Sequence, residues 1–214
     1  MSHDISGHRT EYDFAGLHET EANADPFQQF GSWFQQVLAL DLKLANAMVL
    51  ATADSEGRPA ARYVLLKEYN SEGFVFYTNG LSQKGRHMAK NPHAALVFYW
   101  REMHRQVRIE GKVEQLAAGK ADSYFASRPR GSQLSTWVAP QSEILPDREY
   151  LYTRVEQLTS QFESQVIPRP DDWHGYRVVP HMIEFWQGQE NRLHDRLVYH
   201  RSDTGNWTMS RLAP

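Results

Sequence analysis

Ala47-Met48-Val49-Leu50-Ala51-Thr52-Ala53, a turn at Asp54-Ser55-Glu56-Gly57-Arg58-Pro59, a run from Ala61 to Lys67, a turn at Tyr69-Asn70-Ser71-Glu72-Gly73, and a run from Gly73 to Thr78 together decide the fold class. Short apolar runs joined by polar, Gly-containing turns describe an antiparallel meander of three strands. Downstream, Ser82 to Lys90 is a short helix capped by Ser82 and stopped before Pro92. Ala94 to Trp100 is an apolar strand. From His104 to Gln115, Val107, Ile109 and Val113 alternate with Gln106, Arg108, Lys112 and Glu114, the pattern of a half-buried antiparallel strand.

Ala117 to Ser127 is expected to be helical and to end at Arg128-Pro129. Arg130 to Pro146 reads as irregular. Asp147 caps a longer helix carrying Leu151, Val155, Leu158 and Phe162. Four strands follow, over Tyr176–Val179, Met182–Trp186, Arg196–His200 and Trp207–Leu212, with a hairpin turn at Asp203-Thr204-Gly205-Asn206. Upstream, Asp25 and Pro26 start a helix whose Phe27, Phe30, Phe34, Val37 and Leu38 fall at helical spacing. Residues 1–24 are polar and acidic and read as a flexible arm or lid, and residues 25–214 as one domain. The expected class is mainly β (α+β): about eight short strands closing into an antiparallel barrel, with flanking helices.

Bulk composition narrows the function classes. Hydrophobic residues make up 41%, enough for a sizeable core, and a net charge of -3 gives no global basic field to recruit nucleic acid. Without cysteine there are no disulfides, thiolate metal sites or cysteine nucleophiles. No metal site is expected. The chain shows no basic, apolar leader and no apolar run near the ~20 residues of a membrane span. A soluble cytoplasmic protein is expected. The chain carries no GxGxxG, Walker or HExxH motif.

Chemistry therefore rests on local cationic clusters. If residues 192 to 197 are extended, Arg192, His194 and Arg196 share one strand face, where an anion would relieve their repulsion. Ser82 and Lys84 sit at a helix start, where free N–H groups favour an anion, although a capped surface helix also accounts for them. Arg62 and Lys67 bracket an apolar strand, an arrangement that snorkelling explains equally well. Tyr124 and Arg128 are i, i+4 and Ser132 follows in a Gly-containing turn. Phenol, guanidinium and hydroxyl make a monophosphate cradle, and a helix C-terminus is the alternative. These cradles point to two phosphorylated ligands without identifying either.

At the same residues the chain resembles the pyridoxine (pyridoxamine) 5′-phosphate oxidase family. The resemblance is carried by Arg62-Tyr63-Val64-Leu65-Leu66-Lys67, Phe76-Tyr77-Thr78-Asn79, Arg105-Gln106-Val107, Tyr124 through Gln133, Gln141-Ser142, Ile183-Glu184-Phe185-Trp186-Gln187-Gly188, Arg192-Leu193-His194-Asp195-Arg196 and Arg211-Leu212-Ala213-Pro214. It implies a split β-barrel binding FMN at the interface of a homodimer. It also implies oxidation of pyridoxine or pyridoxamine 5′-phosphate to pyridoxal 5′-phosphate, with O2 as acceptor and hydrogen peroxide as by-product. By analogy Arg62, Lys67, Tyr77, Thr78, Lys84, Gln106, Gln141, Ser142, Trp186 and Arg196 surround FMN, with Gln83 beside them. Lys67, Tyr124, Arg128 and Ser132 hold the substrate phosphate. Arg192 and His194 lie over the substrate ring as the catalytic pair, and Arg9 and Tyr12 match a lid segment.

Gln83 departs from the basic residue that family members often carry beside the helix-borne lysine. The stretch Leu44-Ala45-Asn46-Ala47 lacks an acidic residue often found there. Ser82-Gln83-Lys84-Gly85-Arg86 and Tyr99-Trp100-Arg101-Glu102 also resemble the FMN oxidases of phenazine biosynthesis, the main rival reading. Retention of the substrate-phosphate set weighs against it. A non-catalytic protein that binds flavin or a B6 phosphate is the other alternative, and retention of Arg192 and His194 weighs against that.

Overall fold

The computed structural model describes residues 15–214, so Arg9 and Tyr12 lie outside the described residues. The elements in chain order are α1 (Pro26–Leu38), β1 (Ala47–Ala53), β2 (Pro59–Leu65), β3 (Glu68–Asn70), β4 (Gly73–Asn79), α2 (Gln83–Lys90), β5 (His93–Trp100), β6 (Arg105–Gln115), α3 (Ala118–Ser127), α4 (Arg130–Ser135), α5 (Glu149–Gln161), β7 (Trp173–Gln187), β8 (Asp195–Arg201) and β9 (Trp207–Arg211). Strand order in the sheet is β2-β1-β5-β6-β7-β4-β3, with β8 on β7 and β9 on β8.

Four expectations need correction. The first three strands are not a simple meander: β1 and β2 are neighbours, but β4 pairs with β3 and β7. The run to Lys67 leaves its strand early. The Lys67 N–H donates to the Val75 carbonyl at 2.8 Å, which starts the short β3–β4 hairpin instead. Second, Tyr176–Val179 and Met182–Trp186 belong to one strand, β7. It pairs with β4 through Trp173–Val178 and with β8 through Met182–Gln187. Pro180, which has no N–H to donate, falls between those two ladders. Third, the stretch after Pro129 contains helix α4. Fourth, residues 192 to 194 are not extended. Glu190–Arg192 form a 3-10 turn with Asn191 at φ 52° and Arg192 at φ 60°, and β8 begins only at Asp195.

The chain divides into two compact units. A terminal unit takes the chain up to Val49, Ala95–Gly111 and Pro180–Pro214; a middle unit takes Leu50–Ala94 and Lys112–Val179. In the terminal unit, α1 starts where Asp25 accepts a hydrogen bond from the Phe27 N–H at 2.8 Å and Pro26 presets φ. Its buried stripe, Phe27, Phe30, Phe34 and Val37, packs inward, with Phe30 edge-on to Phe98 at 5.2 Å. Trp33 stands edge-on to Phe185 at 5.2 Å. Each such fully buried ring contributes ~1.5–3 kcal/mol. The β8–β9 hairpin turns at Gly205, whose φ of +88° favours glycine.

The middle unit has its own core of Phe125, Leu134, Val138, Leu158, Phe162, Ile167 and Trp173, drawn from α3, α4, α5, the start of β7 and the segments that follow α4 and α5. Leu158 and Phe162 of the expected α5 stripe are buried here, whereas Val155 is exposed. Ser82 caps α2 as expected, its Oγ accepting from the Gly85 N–H. Tyr77 on β4 lies opposite Gly175 on β7, where a Cβ would sit 2.8 Å from the Tyr77 ring. Glycine at 175 therefore lets that ring lie flat on the sheet.

Candidate ligand-binding site

The middle unit contains a cavity of about 500 Å³. One wall is aromatic. Tyr77 stacks on Tyr124 at 4.1 Å and on Trp173 at 5.3 Å, and Tyr124 and Trp173 are nearly parallel at 6.0 Å. Tyr77 and Trp173 share a sheet face because Tyr77 pairs with Gly175 and Asn79 with Trp173. Tyr124 is brought up by α3.

Lys67, Arg128 and Ser132 line the same cavity. Lys67 lies 5.9 Å from the centre of the Tyr124 ring, and the Arg128 guanidinium 4.9 Å from that of Trp173. Arg128 sits just past the end of α3 in extended backbone, and its Nη1 donates to Thr136 Oγ1 at 2.8 Å. Burial works against its charge.

At the other end of the cavity Thr78, Lys84 and Gln141 converge. Lys84 is only 7% exposed, and its ammonium donates to Thr78 Oγ1 (3.1 Å), Ser82 Oγ (3.1 Å) and Gln141 Oε1 (3.0 Å). Burial, then the nearby positive charge of Arg62, pushes its pKa down to about 8. Arg62 donates to the Leu50 and Ala60 carbonyls, to Thr52 Oγ1 and, at 3.4 Å, to Gln83 Oε1. The Gln83 N–H donates to Ser142 Oγ at 3.3 Å.

Arg62, Lys67, Lys84 and Arg128 form no ion pair with a carboxylate among the described residues. Other arginines of the same unit do pair with acids: Arg58 with Asp54 and Glu56, Arg169 with Asp122, and Arg177 with Glu72. Lys67 is exposed, whereas Arg62 and Arg128 are half-buried and Lys84 is buried; cations that meet only neutral oxygens and rings suit an incoming anion, the more so where they are desolvated. A phosphate at Lys84 and Arg62 would reverse the electrostatic penalty on the lysine, so this donor set fits a phosphorylated cofactor such as FMN.

The middle unit thus brings together Arg62, Lys67, Tyr77, Thr78, Gln83, Lys84, Tyr124, Arg128, Ser132, Gln141 and Ser142. The two cradles expected from spacing are partly one cavity. Sequence reasoning missed Ser135, Thr136 and Trp173, which also line it. Thr136 follows α4, a helix that its polar, Gly-containing sequence conceals, and Trp173 reaches Tyr77 only through the β4–β7 register.

Gln106, Trp186, Arg192, His194 and Arg196 belong to the terminal unit. Gln106 is half-buried on β6. Trp186 and Arg196 are cross-strand partners. Arg196 is not a free cation: its Nε donates to Glu184 Oε1 at 2.8 Å and its Nη1 to the Ala213 carbonyl at 2.9 Å. The Glu184 carboxylate, almost fully buried, also accepts from Arg108 at 2.8 Å. His194 lies 4.6 Å from the Trp186 ring, and its Nδ1 accepts from the Gln189 N–H at 3.1 Å. Burial, then Arg192, lowers its pKa below the ordinary value. A neutral imidazole accepting at Nδ1 carries its proton on Nε2.

Comparison with known proteins decides the family. Residues 34–162, more than half the chain, match the family model for pyridoxamine 5′-phosphate oxidase, and residues 173–214 match the C-terminal dimerisation region of pyridoxine 5′-phosphate oxidase. This chain belongs to the pyridoxamine 5′-phosphate oxidase family. It is 51% identical to the pyridoxine/pyridoxamine 5′-phosphate oxidase of Acaryochloris marina, over 98% of this chain and 95% of that protein. With the protein of the same name from Rubrobacter xylanophilus it shares 53% identity, over 99% and 97%. Among solved structures, PhzG from Burkholderia lata 383 in complex with tetrahydrophenazine-1-carboxylic acid superposes with a TM-score of 0.88 at 29% identity, covering 96% of this chain and all of that one. A pyridoxamine 5′-phosphate oxidase-related, FMN binding protein from Nostoc punctiforme superposes at 0.72 and 16% identity, covering 90% of this chain and all of that one, a likeness of fold alone. The fold is the split-barrel class expected from the sequence, and family membership brings FMN as cofactor. No helix among the described residues is long and apolar enough to cross a membrane.

Proposed function

We propose that this protein is an FMN-dependent oxidase that converts pyridoxine 5′-phosphate or pyridoxamine 5′-phosphate to pyridoxal 5′-phosphate, acting as a homodimer with FMN at the subunit interface. The observation that carries this reading is the cavity in which Lys67 and Arg128, without acidic partners among the described residues, stand beside Tyr124 and Ser132. A substrate without a phosphate leaves those charges uncompensated. Sequence identity of about half to proteins of that name supports the same activity.

The chain's residues divide the work. Lys67, Arg128, Tyr124 and Ser132 bind the substrate phosphate as donors. Lys84 and Arg62, with Thr78, Gln83, Gln141 and Ser142, hold the cofactor phosphate, and Tyr77, Gln106, Trp186 and Arg196 complete the cofactor set. Arg192 and His194 act at the substrate ring. His194, neutral and protonated on Nε2, orients the ring as a hydrogen-bond donor. Held by these residues, FMN would supply the two-electron oxidation at the substrate C4′, with O2 as the final acceptor and hydrogen peroxide as by-product. The alcohol then leaves as the aldehyde; the amine leaves first as an imine, which water hydrolyses to aldehyde and ammonia. Fixing the phosphate end places C4′ at a set distance from the cofactor, which converts binding energy into orientation.

The test is turnover in air by the FMN-loaded protein. Pyridoxal 5′-phosphate and peroxide should form in equal amounts from either B6 phosphate. Failure with both, alongside oxidation of a reduced phenazine carboxylic acid, would overturn the proposal in favour of the chemistry suggested by the PhzG neighbour.

A further inference from the structure

We infer that Thr136 is a positioning residue for the phosphate end of the substrate, acting through Arg128. The inference rests on the reading of Arg128 as a phosphate ligand. Thr136 lines the cavity at the end of α4. Its hydroxyl has one proton and two lone pairs. The proton goes to the Ser132 carbonyl at 2.9 Å, and a lone pair accepts from Arg128 Nη1 at 2.8 Å. The single proton is committed, so Thr136 has none to offer a phosphate. Its part is to hold the group that binds one.

The geometry fixes the guanidinium in two ways. The rings of Trp173, 4.9 Å away, and Phe125, 5.5 Å away, pack against it. The Thr136 hydroxyl anchors its Nη1. The remaining guanidinium N–H groups of Arg128 make no other hydrogen bond among the described residues and stay available to an anion. The same hydroxyl ties the Ser132 carbonyl, which also accepts from Ser135 Oγ at 3.0 Å. Ser132's own hydroxyl makes no hydrogen bond among the described residues. The contact with the Ser132 carbonyl anchors the Thr136 hydroxyl under Arg128, so the rotamer freedom of a long arginine is given up in folding rather than at binding.

Two substitutions separate this role from simple packing. Thr136→Val keeps the shape and removes the hydroxyl; Thr136→Ser keeps the hydroxyl and removes the methyl. Thr136→Val in the FMN-loaded protein is expected to raise KM for pyridoxine 5′-phosphate, and the calorimetric Kd for pyridoxal 5′-phosphate, roughly tenfold, with kcat within about twofold. Thr136→Ser should restore both constants to within about twofold of the unaltered protein. Added to Arg128→Ala, Thr136→Val should change nothing further, because the partner it positions is gone. Overturning results are an unchanged KM in Thr136→Val, a Ser variant as impaired as the Val variant, or additive effects in the double variant. If the unaltered protein binds pyridoxal 5′-phosphate but oxidises no B6 phosphate, the functional reading fails while the affinities still judge Thr136. If it does not bind that ligand, both fail.

Discussion

The cations of the middle unit's cavity and those of the terminal unit's β7–β9 ladder use the same side chains in opposite ways. On the ladder, Arg196 shares the buried Glu184 with Arg108 of β6, and Arg211 pairs with Asp195 and with Glu19. Those contacts tie strands to one another and the segment at Leu17–Glu19 to β8 and β9. Around the cavity, Arg62, Lys67, Lys84 and Arg128 face hydroxyls, amides, carbonyls and rings. A paired cation is already neutralised and serves the fold. A desolvated cation left with neutral partners is an electrostatic cost that a ligand can cancel. Arg196 stands between the two cases, since one edge is held by Glu184 while the proposal also places it at the cofactor.

Substitutions can break this contrast, and the largest effect is expected at Arg128. Arg128→Ala should raise KM for the phosphorylated substrate roughly a hundredfold with a much smaller change in kcat, because it removes binding remote from the reacting carbon. A loss confined to kcat would contradict the assignment. Next comes a stability pair measured by denaturant unfolding without FMN. Glu184→Ala should cost about 1–3 kcal/mol, because Arg196 loses its carboxylate and Arg108 is left with Glu110 alone, whereas Lys84→Met should leave stability unchanged or raised while FMN affinity collapses. Equal destabilisation by both would erase the distinction between the regions.

A smaller effect follows from the pKa of Lys84, about 8 in the protein without an anion. An anion favours the protonated amine, so FMN affinity should be fullest below pH 8 and fall as pH rises above it. The unfolded chain keeps that proton to a higher pH than the folded one, so the lysine's contribution to stability rises with pH above about 8. A flat affinity between pH 7 and 9.5 would count against Lys84 as an anion ligand. The smallest effect is expected at Arg211→Ala, whose part-exposed pairs should contribute at most about 1 kcal/mol, read as a shift in unfolding midpoint.

Much of the fold could be read from the sequence, because its signals are local. Asp25 before Pro26, Ser82 before α2, and the alternation of Val107, Ile109 and Val113 each depend on near neighbours. What escaped depends on partners distant in sequence. Pro180 reads as a strand break until β4 and β8 are seen to pair on either side of it. Arg192 reads as extended, yet a left-handed turn ends only at Leu193. The site followed the same rule. Motif resemblance supplied Lys67, Tyr124, Arg128 and Ser132, but Trp173 and Thr136 emerge only from register and from a helix hidden in a polar stretch. The common face of Arg192, His194 and Arg196 dissolves: Arg196 is engaged by Glu184, His194 by Trp186 and the Gln189 N–H, and Arg192 sits exposed on the turn.

The most direct test compares kcat/KM of the FMN-loaded protein for pyridoxine 5′-phosphate and for unphosphorylated pyridoxine. Cavity cations that await a phosphate predict at least about a hundredfold preference for the phosphate ester, lost in the Arg128→Ala variant. Equal use of the two compounds, or a preference that survives that substitution, would contradict it.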